Sequence, residues 1–66
     1  MKFTKHATAR MKQRNITRGD VSLTVHTGVK MVNKHDSEKL TFVHNSLRVY
    51  VVTNKEADTV ITVFKK

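Results

Sequence analysis

The chain has no cysteine, no proline and no tryptophan, and its 66 residues include only two glycines. Without cysteine there is no disulfide and no thiolate, which excludes the usual staple of a small secreted domain and fits a reducing cytoplasm. No Pro-rich or Gly/Ser-rich stretch marks a linker, so residues 1–66 are expected to form one domain around a thin core. No apolar run approaches the ~20 residues that cross a bilayer. The charged N-terminus lacks the apolar stretch of a secretory signal. A soluble, cytoplasmic protein without membrane contact is expected.

Acidic residues are scarce as well: Asp+Glu 5 against Lys+Arg 13, a formal net charge of +8 and a pI near 10.4. The imbalance is steepest at the start. Residues 1–18 hold Lys2, Lys5, Arg10, Lys12, Arg14 and Arg18 and no acid. Such a field favours polyanions, with nucleic acid ahead of an anionic membrane or an acidic protein.

Several kinds of chemistry find no support. Gly19 and Gly28 stand alone, so there is no glycine-rich phosphate loop. No close carboxylate pair and no nucleophile–base–orienter set is present. His26, His35 and His44 share no metal-ligand spacing, and neither a metal nor a cofactor is expected.

The hydrophobic pattern divides the chain in two. A first helix is expected over Lys5–Asn15, with Thr4 as N-cap and Phe3, Ala7 and Met11 as an apolar stripe. A second is expected over Arg18–Thr27. Thr17 and Asp20 resemble a capping box, Ile16 and Val21 a hydrophobic staple, and Val21 and Val25 point inward together. Gly28 sits where a helix end favours positive φ. From Val29 the period shortens, and Val29–Asn33, Lys39–His44, Leu47–Asn54 and Asp58–Phe64 read as strands. Asn45-Ser46 is placed in a tight hairpin turn. Arg48 and Tyr50 then share one strand face, and both faces of the last two strands carry apolar residues. The expected fold is α+β: two N-terminal helices packed on a three- to four-stranded antiparallel sheet.

His6, Arg10 and Arg14 fall at i, i+4 and i+8, so a helix aligns them in one stripe. Cleaving RNA by attack of its own 2′-hydroxyl needs an acid and a base, and donors for the charge growing on the phosphate. A histidine titrates near neutrality, and arginine supplies fixed forked donors. Thr62, if its strand face carries the site, can hold a phosphate oxygen or orient His6. Arg48 and Tyr50 offer a phosphate contact and a stacking surface. Lys2, Lys5 and Arg18 complete the candidate RNA-binding set. The competing interpretation is a solvated basic helix face.

The order His6-Ala7-x-x-Arg10-x-x-x-Arg14-x-Ile16, a capped helix ending at Gly28, a run of strands and a terminal Ile61-Thr62-Val63-Phe64 resembles a small prokaryotic and phage domain family of unknown function. That family carries a His-Ala-x-x-Arg-x-x-x-Arg-Gly-Ile motif and is similar to BrnT and RelE-like toxins, within the barnase–colicin–RelE ribonuclease superfold. The resemblance covers essentially the whole chain. It implies a RelE/BrnT-like domain and, in active members, a metal-independent endoribonuclease, paired with an antitoxin over its basic cleft. It implies site roles for His6, Arg10, Arg14 and Thr62. Asn15 departs from the family's usual glycine.

Three functions follow as expectations. The first is a toxin-type endoribonuclease, acting on free or ribosome-associated RNA, with His6 as acid or base, Arg10 and Arg14 on the phosphate and Thr62 orienting. The second is a non-catalytic nucleic-acid-binding module using the same face. The third is a phage or mobile-element protein docking an acidic partner.

Overall fold

The computed structural model describes residues 1–32 and 38–65. In chain order these form β1 (Lys2–Phe3), α1 (Lys5–Arg14), α2 (Arg18–Thr27), β2 (Val29–Val32), β3 (Lys39–His44), β4 (Val49–Asn54) and β5 (Thr59–Lys65). The strands make one sheet in the order β1-β5-β4-β3-β2. Asn33, His35 and Asp36 lie outside the described residues.

The α+β class holds, but the expected three- to four-stranded antiparallel sheet does not. The sheet has five strands and is mixed, because β1 pairs parallel with β5, Lys2 beside Thr59 and Phe3 beside Val60. Two residues ahead of a helix cap carry no periodic signal, and only the returning C-terminal strand gives them a partner. The attachment continues into the helix. Thr4 N–H donates to the Val60 carbonyl at 3.1 Å and its hydroxyl to the Ile61 carbonyl at 2.8 Å. The same hydroxyl accepts from the Ala7 amide at 3.0 Å, so one threonine caps α1 and ties it to β5.

Both helices cover one face of the sheet, α1 over β5 and α2 over β3 and β4. Ala7 and Met11 from α1, Ile16 from the connection and Val21 from α2 meet Leu40, Phe42, Val49, Val51, Val60 and Val63 in a single core. Register assigns the faces. Phe42 opposes Val51 and Val51 opposes Val63, all inward, so Val43, Tyr50 and Phe64 face outward along the same ladders. A bulge interrupts this between β4 and β5: Val52 opposes Thr62 but Thr53 opposes Val60, leaving Ile61 extra. That one residue lets Val60 and Val63, three apart, both point into the core. Strict alternation does not place both there.

The helix ends explain the connection. Asn15 is left-handed at φ 57°, its amide donates to Lys12 O, and the Ile16 amide donates to Met11 O at 2.8 Å, a Schellman closure that also buries Ile16 against Met11. At the start of α2 the capping box is complete: Asp20 N–H donates to Thr17 Oγ1 at 3.0 Å and Thr17 N–H to Asp20 Oδ2 at 3.1 Å.

Two local expectations need correction. Gly28 does not adopt positive φ; it is extended at φ −76°. Glycine is required there by proximity, since a Cβ would lie 2.5 Å from the Val43 carbonyl oxygen and closer still to that of Thr24. The β3–β4 hairpin is also longer than a two-residue turn. His44 opposes Val49, so residues 45–48 all belong to the turn. The Leu47 amide donates to His44 Nδ1 at 3.2 Å, which gives His44 a structural use, and Arg48 is left-handed at φ 57°. Arg48 is therefore a turn residue, not a neighbour of Tyr50 on a strand face.

Candidate nucleic-acid interface

His6 and Arg14 are exposed and Arg10 is half-buried, all on α1. Because Ala7 and Met11 define the buried line of that helix, the 3.6-residue period puts His6, Arg10 and Arg14 on one flank and Thr8 and Lys12 on the other. The stripe expected from the spacing is present. Arg10 Nη1 also reaches Gln13 Oε1 at 3.5 Å, a long contact at the surface. No acid occupies the first turn of α1, where Lys5 and His6 stand, and Lys12 and Arg14 close its last turn.

The remaining cations divide among other surfaces. On the second flank of α1 a shallow depression is lined by Phe3, Thr8, Met11, Lys12, Asn15, Ile16 and Arg18. There the Arg18 guanidinium lies 5.4 Å from the centre of the Phe3 ring, a cation–π contact that holds the start of α2 against β1. Lys2 is exposed on β1, its amide donating to the Asp58 carbonyl at 2.8 Å.

Thr62 does not join the His6 stripe. It opposes Val52 on the outer face of the sheet, whereas α1 packs on the inner face, so the sheet itself lies between them. Its expected role of orienting His6 is excluded by this placement. Arg48 and Tyr50 belong to that outer side too, lining a depression with Val43 and Asn45. The candidate residues thus fall into two groups: His6, Arg10 and Arg14 on α1, and Arg48, Tyr50 and Thr62 beneath the sheet.

The sequence reading missed Phe64 as a partner of Tyr50. The two rings stack across β4 and β5 with centroids 4.8 Å apart and planes 9° apart. Tyr50 lies four residues before the end of β4 and Phe64 five after the start of β5, so they meet only because of the bulge, and no sequence signal marks the pair before the register is fixed.

One carboxylate is tuned by its hydrogen bonds. The Asn54 side-chain amide donates to Asp58 Oδ1 at 2.6 Å and the Thr59 hydroxyl donates to the same oxygen at 3.1 Å. These bonds, led by Asn54, hold the Asp58 carboxyl below its ordinary value of 3.8. Asn54 Oδ1 in turn accepts from the Asp58 and Thr59 amides, so the cluster organises the β4–β5 turn.

Among the described residues, no three His, Cys, Asp or Glu side chains gather closely enough to hold a metal ion. Among them also, no helix is long and apolar enough to cross a membrane. Neither a curated protein nor a solved structure matches the chain significantly. A family model does match, over residues 3–65 and so over both groups of candidate residues, and the chain belongs to that family, the domain of unknown function DUF4258.

Proposed function

We propose that this domain binds RNA along the flank of α1 that carries His6, Arg10 and Arg14. The observation that supports it best is the placing of Lys5 and His6 in a first turn without any acid. Backbone amides already make that end of a helix positive, so added cations weaken the helix and a bound anion relieves both. Arg10 and Arg14 extend the same potential for two further turns, with donors suited to phosphate oxygens. Charge alone holds the backbone here, so affinity falls with salt as counterions are released.

A second reading, metal-independent cleavage by 2′-hydroxyl attack, is favoured by His6 lying one turn from Arg10 on an exposed flank. An imidazole beside a phosphate held by arginine can exchange a proton with either reacting oxygen. That version runs without Thr62, and in its toxin form an acidic antitoxin covers the same flank.

Anisotropy of labelled RNA titrated at several salt concentrations tests the first reading. Arg10→Ala and Arg14→Ala should each flatten the log–log salt slope by about 0.7 to 0.9. Binding that both variants leave unchanged removes the α1 flank from the interface. End-labelled RNA incubated in EDTA tests the second: cleavage to 2′,3′-cyclic phosphate ends by wild type and not by His6→Ala is its expected result.

A further inference from the structure

The helices cover one face of the sheet, and no other element among the described residues layers the opposite face. On that outer face lie Val29 and Met31 from β2, Val43 from β3, Tyr50 and Val52 from β4, and Phe64 from β5. Val29 and Met31 are each more than half exposed and Phe64 is 38% exposed. Val29, Val43, Tyr50 and Phe64 form one apolar row across four strands, with Thr41 and Thr62 in the row beside it. Such a row, exposed at both ends on so small a domain, marks a contact surface.

Its aromatic centre is built in a particular way. Tyr50 and Phe64 oppose one another across the ladder and stack nearly parallel. On the far side of Phe64 no strand among the described residues pairs with β5, because β1 pairs only with Thr59 and Val60 and Thr4 reaches no further than Ile61. Phe64 therefore offers a ring at an uncovered edge, backed by a second ring that fixes its orientation. On the Tyr50 side, Arg48 lines a depression with Val43, Asn45 and Tyr50. Arg48 holds a left-handed backbone at φ 57°, a conformation that glycine or asparagine adopts at less cost.

The charge of this face selects the occupant. No acidic residue faces outward in its ladders among the described residues, and its charged side chains are Lys2 in β1, Lys39 within β3 and Arg48 at the hairpin end. A second copy of a chain with net charge +8 meets repulsion here, and an uncharged apolar partner leaves Arg48 unused. Stacked rings beside a guanidinium match a base and its phosphate.

We propose that the outer face of the sheet, centred on Tyr50 and Phe64, is a stacking site for the unpaired bases of a single-stranded nucleic acid, with Arg48 on the phosphate. This rests on the domain binding nucleic acid and deepens that reading: the preferred ligand is single-stranded. Duplexes keep their bases stacked inside and gain nothing from these rings.

The test compares labelled oligouridylate, oligothymidylate and a duplex of equal phosphate number against the full chain. Wild type should bind the single strands more tightly than the duplex, and the two single strands separate RNA from DNA preference. Phe64→Leu and Tyr50→Leu should each weaken single-strand binding about tenfold while leaving the duplex unchanged. Arg48→Gly should weaken single-strand binding more than Lys55→Ala, which removes an equal charge from the other hairpin. Because Arg48→Gly relieves a left-handed residue, it should also melt higher than wild type, so loss of binding there is not loss of fold.

Folded Phe64→Leu and Arg48→Gly variants that bind single strands like wild type would overturn the proposal. So would a dimer that Phe64→Leu dissolves, which assigns the face to a second copy. Binding weakened by Phe64→Leu but untouched by Arg10→Ala and Arg14→Ala would sustain the sheet site and remove the α1 flank. The reverse pattern would do the opposite.

Discussion

Adding one methyl group to each of the two glycines should move stability in opposite directions. At Gly28 the new Cβ falls 2.5 Å from the Val43 carbonyl oxygen and nearer to that of Thr24, whereas ordinary contact begins at 3.4 Å. Neither oxygen can yield cheaply. Thr24 O already accepts the Gly28 amide at 2.8 Å and closes the last turn of α2. Val43 lies in β3 directly opposite Val29, the first residue of β2. The methyl group must part α2 from the sheet by about 1 Å, so Gly28→Ala should cost about 3 kcal/mol, the upper end of the range for overpacking. At Gly19 a Cβ meets only Thr17 Oγ1, at 3.6 Å, within a helix. Gly19→Ala should gain about 0.5 kcal/mol from helix propensity and from a less flexible unfolded chain. For a domain of this size the expected shifts in Tm are a fall of about 12 to 24 °C and a rise of about 2 to 4 °C. Urea and thermal melts followed by circular dichroism read both. A Gly28→Ala variant within about 1 kcal/mol of wild type would refute the close approach of α2 to β3.

Asn15 and Ala57 are left-handed at φ 57° and 59°, so Asn15→Gly and Ala57→Gly should each stabilise, by about 0.5 and about 1 kcal/mol in urea melts. Lys5→Glu puts an acid into the bare first turn of α1 and should raise stability by about 0.3 to 1 kcal/mol while weakening RNA binding. Asp58 has its folded pKa held down, so its contribution to stability is present above the unfolded value and is lost as pH falls below about 4 towards the folded one. Asp58→Asn should flatten the acid limb of the stability–pH curve; an unchanged limb would assign acid sensitivity to other carboxylates. β2 is an edge strand whose Val29, Met31 and Val32 are more than half exposed, so Met31→Lys should reduce aggregation on concentration without lowering Tm.

What was legible in the sequence was local. Thr4, Thr17 with Asp20, and the Ala7–Met11 line carry their geometry in neighbouring residues, and the two helices follow from them. The cationic stripe of His6, Arg10 and Arg14 needed only the helical period. The errors share the opposite property. β1 exists through a pairing with β5 more than fifty residues away, and Gly28 is fixed by a strand carbonyl from Val43. Thr62 was set beside His6 because alternation could not say which face of β5 met the helices. The bulge at Ile61, which puts Val60 and Val63 on one side, defeats alternation at that point. The Tyr50–Phe64 stack had the same obstacle: register decides it, and register is not local.

The left-handed residues show how far local cost can be used to find function. Departures from easy backbone geometry concentrate at functional sites, but structural ones occur as well. Here both glycines are spent elsewhere, Gly28 on close packing and Gly19 inside a helix, while Asn15, Arg48 and Ala57 take the positive φ values. Asn15 closes α1, and Ala57 lies in the turn organised by Asn54 and Asp58. Both have structural work that glycine would do at least as well. Arg48 differs because its side chain, unlike a methyl group, brings a charge beside the stacked rings of half-buried Tyr50 and exposed Phe64. The strain is common to all three, and so cannot by itself mark a site. Only at Arg48 should replacing the residue with glycine set a gain in stability against a loss of binding, and that opposition in sign is what would separate a functional residue from one merely tolerated.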